Sequence, residues 1–308
     1  MRAAIVTAYG ASPAYGDHPE PVARGDHQMV VEVLAAGLHP LTRAKANGTH
    51  YSATAALPLV PGADGVVRDP QGRLRYVVLE DSALGTFAER TVIDVRRSVL
   101  LPEGADPVRI AAAMNPGMSS WVALRRRITF PEGRRVAILG ATGSAGRMAI
   151  QVAKRFGATQ VIAVGRDAAR LKALPALGAD LAVTFEEAGA AADVDVVLDF
   201  VWGTPAASAM LPILKGRADR SVPLTWIQIG SIAGEAAPIP SAALRAARFE
   251  IVGSGIGSVS PRDFIAELPE LAAAVMAGSL DVNARPVPLA DIARAWDDGS
   301  SERLVFVP

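Results

Sequence analysis

The stretch Arg135-Val136-Ala137-Ile138-Leu139-Gly140-Ala141-Thr142-Gly143-Ser144-Ala145-Gly146 decides how this chain is read. Val136 to Leu139 run without a polar residue, the mark of a strand covered on both faces. Glycines follow at Gly140, Gly143 and Gly146, after which Met148, Ile150, Val152 and Ala153 continue at helical spacing. Strand, glycine turn and helix in this order form a dinucleotide-binding unit. The glycines permit a tight turn and close backbone approach, so that free amides and the positive end of the helix dipole can hold a pyrophosphate. The alternative, a plain glycine-rich strand-to-helix turn, has strand, spacing and helix all against it.

Downstream of the loop, apolar strands at residues 160–164, 195–200, 225–229 and 249–252 alternate with helical patterns at residues 168–177 and 263–277. Such alternation predicts an α/β fold with a doubly wound parallel sheet, because right-handed βαβ crossovers connect parallel neighbours compactly. Upstream, short β-branched runs at residues 3–7, 29–35, 59–67, 74–79 and 87–92 predict a small all-β unit. From Pro107 a helical face of Ile110, Met114, Met118, Trp121, Val122 and Ile128 begins, with Trp121 expected in the core. Asn115-Pro116-Gly117 breaks that pattern and predicts a hinge or domain junction. A strand at Arg303–Val307 closes the chain.

With 308 residues and 50% hydrophobic content the chain is long enough for two ordinary domains. Its 31 basic residues cancel its 31 acidic ones, which argues against a nucleic-acid surface or an anionic-membrane anchor. Cysteine is absent, excluding disulfides, thiol nucleophiles, iron–sulfur clusters and cysteine-ligated zinc. No signal-peptide apolar region and no uninterrupted apolar stretch of about 18 residues is found, so a cytoplasmic protein is expected.

Cofactor choice turns on the end of the second strand, Val164-Gly165-Arg166-Asp167. An NAD site would place an acid about 20 residues past the glycines to hold the ribose hydroxyl. Arg166 stands there instead, with Arg170 one helical turn on; two guanidinium groups suit a 2′-phosphate and favour NADPH. The competing reading makes both arginines solvated helix-start residues and gives the ribose to Asp167. Asp199, Phe200 and Val201 after the third strand, and Gln228, Gly230 and Ser231 after the fourth, are expected along the carboxyl edge of the sheet where the nicotinamide half binds.

Several segments together resemble the quinone oxidoreductase branch of the medium-chain dehydrogenase/reductase superfamily. They are Ala35-Ala36-Gly37-Leu38-His39-Pro40, Pro61-Gly62-Ala63-Asp64-Gly65, Gly85-Thr86-Phe87-Ala88-Glu89, Gly117-Met118-Ser119-Ser120-Trp121, the loop from Gly140 to Gly146, and Leu177-Gly178-Ala179-Asp180. The resemblance implies a GroES-like β domain at residues 1–114 and 257–308, interrupted by a Rossmann NADPH-binding domain at residues 115–256. It implies zinc-independent, NADPH-dependent reduction of quinones or α,β-unsaturated carbonyl compounds. It also implies a homodimer joined through the last Rossmann strand, near residues 248–252. Ser119, Ser254 and Gly255 are carried over as cofactor neighbours, beside Gly140, Ala141, Thr142, Gly143, Ser144, Ala145 and Gly146 of the loop. At the zinc positions of related alcohol dehydrogenases stand His39, Ala63 and the Asn115-Pro116 region, too few donors for a catalytic metal.

Two departures from the family pattern matter: His39 replaces an asparagine and Thr42 an aspartate. Enone reduction needs hydride at the β-carbon, a donor to the carbonyl oxygen and a proton for the α-carbon. His39 is the first candidate to orient or protonate substrate, and Tyr51 the second. Asp64 before Gly65 reads as a turn and capping residue, and Arg125-Arg126-Arg127 as a solvated helix C-terminus. The substrate's shape is left to the segments around His39 to Tyr51, the Trp202 loop and residues 254–259. The alternatives are a metal-free carbonyl or imine reductase of a biosynthetic pathway and a non-catalytic nucleotide-binding relative.

Overall fold

The computed structural model describes residues 1–50, 53, 56–80, 82–300 and 302–308, which fall into two compact units, Met1–Asn115 with Leu268–Pro308, and Pro116–Glu267. The chain first forms β1 (Arg2–Ile5), β2 (Ala14–Asp17), β3 (Gln28–Gly37), α1 (Pro40–Ala46), β4 (Asp64–Arg68), β5 (Leu74–Val78), β6 (Arg90–Asp94), β7 (Ser98–Leu100) and α2 (Pro107–Val122). Next come β8 (Arg135–Leu139), α3 (Ser144–Arg155), β9 (Gln160–Gly165), α4 (Ala168–Leu171), β10 (Leu181–Thr184), β11 (Val196–Asp199), α5 (Gly203–Lys215), β12 (Leu224–Gln228), α6 (Ala243–Ala246) and β13 (Phe249–Gly253). Then follow α7 (Pro261–Met276), β14 (Ala284–Pro288), α8 (Ile292–Ala295) and β15 (Arg303–Val307).

In the β-rich unit, the long strand β3 pairs antiparallel with β4, β6 and β15, in a sheet ordered β14-β15-β3-β4-β5-β7. An irregularity between Val33 and Ala35 lets one strand serve different partners along its length, because a bulge bends and re-aims the ladder. Val31, Val33, Ala36, Phe87 and Phe306 pack beneath it with Trp296. Phe87 meets Phe306 edge to face at a centroid distance of 5.1 Å.

In the second unit every strand runs parallel, in the order β10-β9-β8-β11-β12-β13. By chain sequence this is the doubly wound order 3-2-1-4-5-6, which reverses direction between β8 and β11. Val136, Ala137, Ile138 and Leu139 are fully buried, as are the matching residues of β9 and β11, so burial on both faces explains the unbroken apolar runs.

The structure departs from the sequence reading in several places. Helix α2 continues through Pro116 instead of breaking at Asn115-Pro116-Gly117, although the boundary between the two units does fall between Asn115 and Pro116, as the sequence predicts. A mid-helix proline costs about 3 kcal/mol, and burial of Ile110, Met114, Met118 and Trp121 along the helix offsets it. Strand β14 was invisible in the sequence because it holds Pro286 and Pro288; it pairs only with β15, and a sheet edge is where proline is tolerated. Residues 257–267 lie with the parallel-sheet unit. There Glu267 accepts from Trp121 Nε1 at 3.0 Å and from Arg126 Nε.

Candidate functional site

The turn after β8 is built by backbone. Gly140 N and Ala141 N donate to Val164 O at 2.9 and 3.1 Å, and Gly140 takes a φ of +82°, where a side chain is strained. A Cβ on Gly146 would lie 2.3 Å from Gly140 O, so this glycine is needed for helix α3 to approach the turn. Gly143 differs. A Cβ there would meet only Gly140 O, at an ordinary 3.5 Å, so the protein itself does not require glycine at that position. Gly143 is the N-cap of α3 and makes no side-chain cap. The first amides of that helix, Ser144, Ala145 and Gly146, therefore face the space that a missing side chain leaves open. Open room above uncapped amides and a helix dipole is the cradle a pyrophosphate needs, and the residues present fit a dinucleotide.

Arg166 and Arg170 stand beside this cradle, both exposed. Arg170 reaches back to donate to Thr142 O at 3.4 Å, which brings its guanidinium over the loop. Arg166 makes no hydrogen bond or ion pair among the described residues. Asp167 caps α4: its Oδ1 accepts from Ala169 N and Arg170 N at 2.9 and 3.1 Å. That oxygen is occupied, which weakens the reading that gives Asp167 to a ribose.

The other expected cofactor residues gather at the carboxyl edge of the same sheet. Phe200 N donates to Leu139 O at 3.2 Å, and a Cβ on Gly140 would lie 2.9 Å from Val201 Cγ2, so Phe200 and Val201 abut the glycine turn. A Cβ on Gly230 would strike Phe200 O at 2.8 Å, which places Gly230 against the same turn, with exposed Ser231 next to it. Asp199 organises this region. Its Oδ1 accepts from Val201 N and Trp202 N, its Oδ2 from Trp226 Nε1, and burial raises its pKa above the ordinary carboxylate value. Ser254 N donates to Gln228 O, while Arg127 holds Gly253 O and Ser258 O on either side of Ser254 and Gly255. Ser119 is not drawn to the loop by any described contact; its hydroxyl donates to Pro116 O within α2.

Arg125 and Arg126 are exposed, as expected of a solvated helix end, but the run is also paired. Arg126 and Arg125 pair with Glu267, and Arg127 ties down the segment after β13. The only sequence signal was the run itself; its acidic partner lies far along the chain.

In the β-rich unit His39 is wholly buried, with Nε2 2.7 Å from Asp64 Oδ1. Tyr76 donates its hydroxyl to Asp64 Oδ2. Asp64 therefore begins β4 as the centre of a buried polar cluster, and the expected turn role is corrected. Desolvation lowers the His39 pKa against the opposing pull of Asp64, and Arg303 adds to the lowering. The neutral ring must then carry its proton on Nε2, toward Asp64, leaving Nδ1 as an acceptor with no hydrogen-bond partner. Tyr76 is pushed up by burial and by Asp64, so its phenol stays protonated. Arg303, donating to Leu38 O at 2.7 Å, is brought down to about 10 by desolvation. Buried Thr42 keeps an unpaired hydroxyl close by in sequence. Tyr51 lies outside the described residues. Among the described residues no three His, Cys, Asp or Glu side chains gather as a metal site, and no helix is long and apolar enough to cross a membrane.

A doubly wound sheet with an open glycine cradle, joined to a β-rich unit, defines a two-unit dinucleotide-binding oxidoreductase fold. No protein-family model matches the chain. It is 30% identical to a probable NADPH-dependent quinone reductase of Emericella nidulans, over 100% of both chains. An NADPH-dependent alkenal/one oxidoreductase of Arabidopsis thaliana is 28% identical over 52% of this chain and 45% of its own length. The quinone oxidoreductase of Thermus thermophilus, whose crystal structures include a complex with NADPH, superposes with a TM-score of 0.83 at 25% identity, over 100% of both chains. The chain belongs to the quinone oxidoreductase branch of the medium-chain dehydrogenase/reductase superfamily, with its Rossmann and GroES-like units.

Proposed function

We propose that the protein reduces quinones, or the activated C=C bond of α,β-unsaturated carbonyl compounds, with NADPH. The observation that carries this is the cradle at Gly143, where the fold leaves room its own packing does not demand, flanked by Arg166 and Arg170. When bound, NADPH supplies the hydride. The chain's own residues bind and orient. The α3 amides from Ser144, Ala145 and Gly146 take the pyrophosphate with Thr142, and the two arginines take the 2′-phosphate. Phe200, Val201, Gly230, Ser231, Ser254 and Gly255 border the nicotinamide half, with Ser119 a further neighbour.

In this reading His39 serves as a positioning residue in the β-rich unit. Its one proton is given to Asp64, and burial disfavours the imidazolium that a proton donor would need. The proton that completes reduction then comes from water, and Tyr51 is the remaining candidate donor to a carbonyl oxygen. A homodimer is supported by β13, which ends the Rossmann sheet as an edge strand with half-buried Ile251 and Val252. A cytoplasmic setting suits an NADPH-dependent reductase.

The test is NADPH consumption by the purified protein with menadione, crotonaldehyde and saturated ketones, followed by product analysis. Hydroquinone or a saturated aldehyde bears the reading out. Alcohols formed with the alkene intact would mean a carbonyl reductase, and tight NADPH binding with no turnover a non-catalytic relative.

A further inference from the structure

Of the four tryptophans, three are buried: Trp121, Trp226 and Trp296. Trp121 and Trp226 give their indole N–H groups to Glu267 and Asp199. Trp202 differs on every count. It is half-buried, one part of it packed against the core of the parallel-sheet unit, and its indole N–H has no acceptor among the described residues. Its backbone stands at φ 54° and ψ −160°, and it is the one non-glycine residue with positive φ among those described. That region is essentially reserved for glycine. Two hydrogen bonds hold the strained turn: Asp199 Oδ1 accepts from Val201 N at 2.8 Å and from Trp202 N at 2.9 Å. Gly203 follows at φ 64°, where a Cβ would meet Ala233 O at 2.7 Å, so the chain cannot relax on that side.

Glycine at position 202 would remove the strain, and a partly open indole contributes less packing than a buried one. The side chain is therefore kept for something other than the fold. Its place says what: it follows the carboxyl end of β11, one strand over from β8 at the reversal of strand order, and its neighbour Val201 touches the glycine turn. Ligands of doubly wound sheets bind along that edge. A flat, partly open π face recognises a planar conjugated ring by stacking. A quinone offers such a ring, whereas an acyclic enal does not.

We propose that Trp202 is a specificity-determining residue whose indole stacks on a planar quinone ring and selects it over acyclic enals and enones; this rests on the reduction reading above. The test compares wild type with Trp202→Ala, Trp202→Gly and Trp202→Phe, by KM and kcat for menadione and crotonaldehyde and by calorimetric dissociation constants. The constants are measured for NADPH and for menadione on the NADP⁺-loaded protein. Both small-residue variants should raise the menadione KM and dissociation constant about tenfold, the scale of one aromatic contact. The phenylalanine variant should recover part of that loss. The crotonaldehyde KM and NADPH affinity should stay within about twofold, a change too small for an aromatic contact. The glycine variant should melt above the alanine variant, because glycine accepts the backbone conformation and alanine does not. An unchanged menadione KM and dissociation constant would overturn the proposal, as would equal losses for both acceptors or a parallel loss of NADPH affinity. A wild type that turns over neither acceptor would refute the reduction reading alone; menadione binding to the NADP⁺ complex then still decides the part played by Trp202.

Discussion

Lowering the pH below the ordinary imidazole value of 6.5 should destabilise the protein through His39. The folded ring is buried and held neutral, so its pKa is lowered, while the unfolded chain protonates normally. As pH falls past 6.5 the unfolded state binds a proton that the folded state refuses. Stability is thus fully present above that value and lost below it. Each pH unit over which the folded ring stays neutral costs up to about 1.4 kcal/mol, a sizeable share of a domain's typical 5–15 kcal/mol. Asp199 works the other way, because burial raises its pKa and its protonation favours the folded state as pH falls. A variant removes the ambiguity. In His39→Gln the amide can still donate to Asp64 but cannot titrate, while Asp199, Tyr76 and Arg303 are untouched. Urea unfolding of both proteins at about pH 7.5 and about pH 5.5 should show the wild type losing roughly 1 kcal/mol more than the variant between the two. Parallel losses would refute the argument, since they would mean that His39 is charged in the folded protein or reaches solvent.

Other predictions follow from the nucleotide unit. Arg166→Ala with Arg170→Ala should weaken NADPH binding by about tenfold or more per arginine, the scale of a charge-assisted hydrogen bond, and leave NADH binding little changed by calorimetry. Gly143→Ala should fold normally yet lose NADPH affinity, whereas Gly146→Ala, with its new methyl 2.3 Å from Gly140 O, should lower the melting temperature; equal effects in both would count against the cradle. Glu267→Leu should lower stability by about 1–3 kcal/mol in thermal or urea melts, because Trp121 Nε1 and Arg126 lose a buried acceptor.

The nucleotide loop was legible because every requirement is local. Apolar strand, glycines and helix lie within one short stretch, and Gly140 and Gly146 answer to a φ or a close contact inside it. The same holds for Arg166 and Arg170, placed by the end of β9 and the start of α4. Strand β14 was hidden because proline marks a break by default, and only the sheet order shows that it lies at an edge. The partner of the arginine run is hidden for a related reason: an exposed charge after a buried face gives no sign of Glu267, which lies on a distant helix and pairs with it.

Asp64-Gly65 shows most clearly why the polar cluster was out of reach. Aspartate before glycine suggests a tight turn, and nothing in the pair itself says otherwise. Yet Gly65 has no positive φ; its glycine is needed because a Cβ would meet Ala35 O at 2.8 Å across the β3–β4 ladder. Close strand approach, not chain reversal, is what this glycine serves. That approach draws β4 against β3, and just beyond the end of β3 the buried ring of His39 bonds to Asp64. The hint lay one step further along, in Val66 and Val67, whose apolar β-branched side chains continue a strand where a turn would be followed by polar residues. A glycine flanked by aspartate and two valines is therefore better read as an inter-strand contact, and an aspartate carried with it into the sheet needs donors such as His39 and Tyr76 to offset its burial.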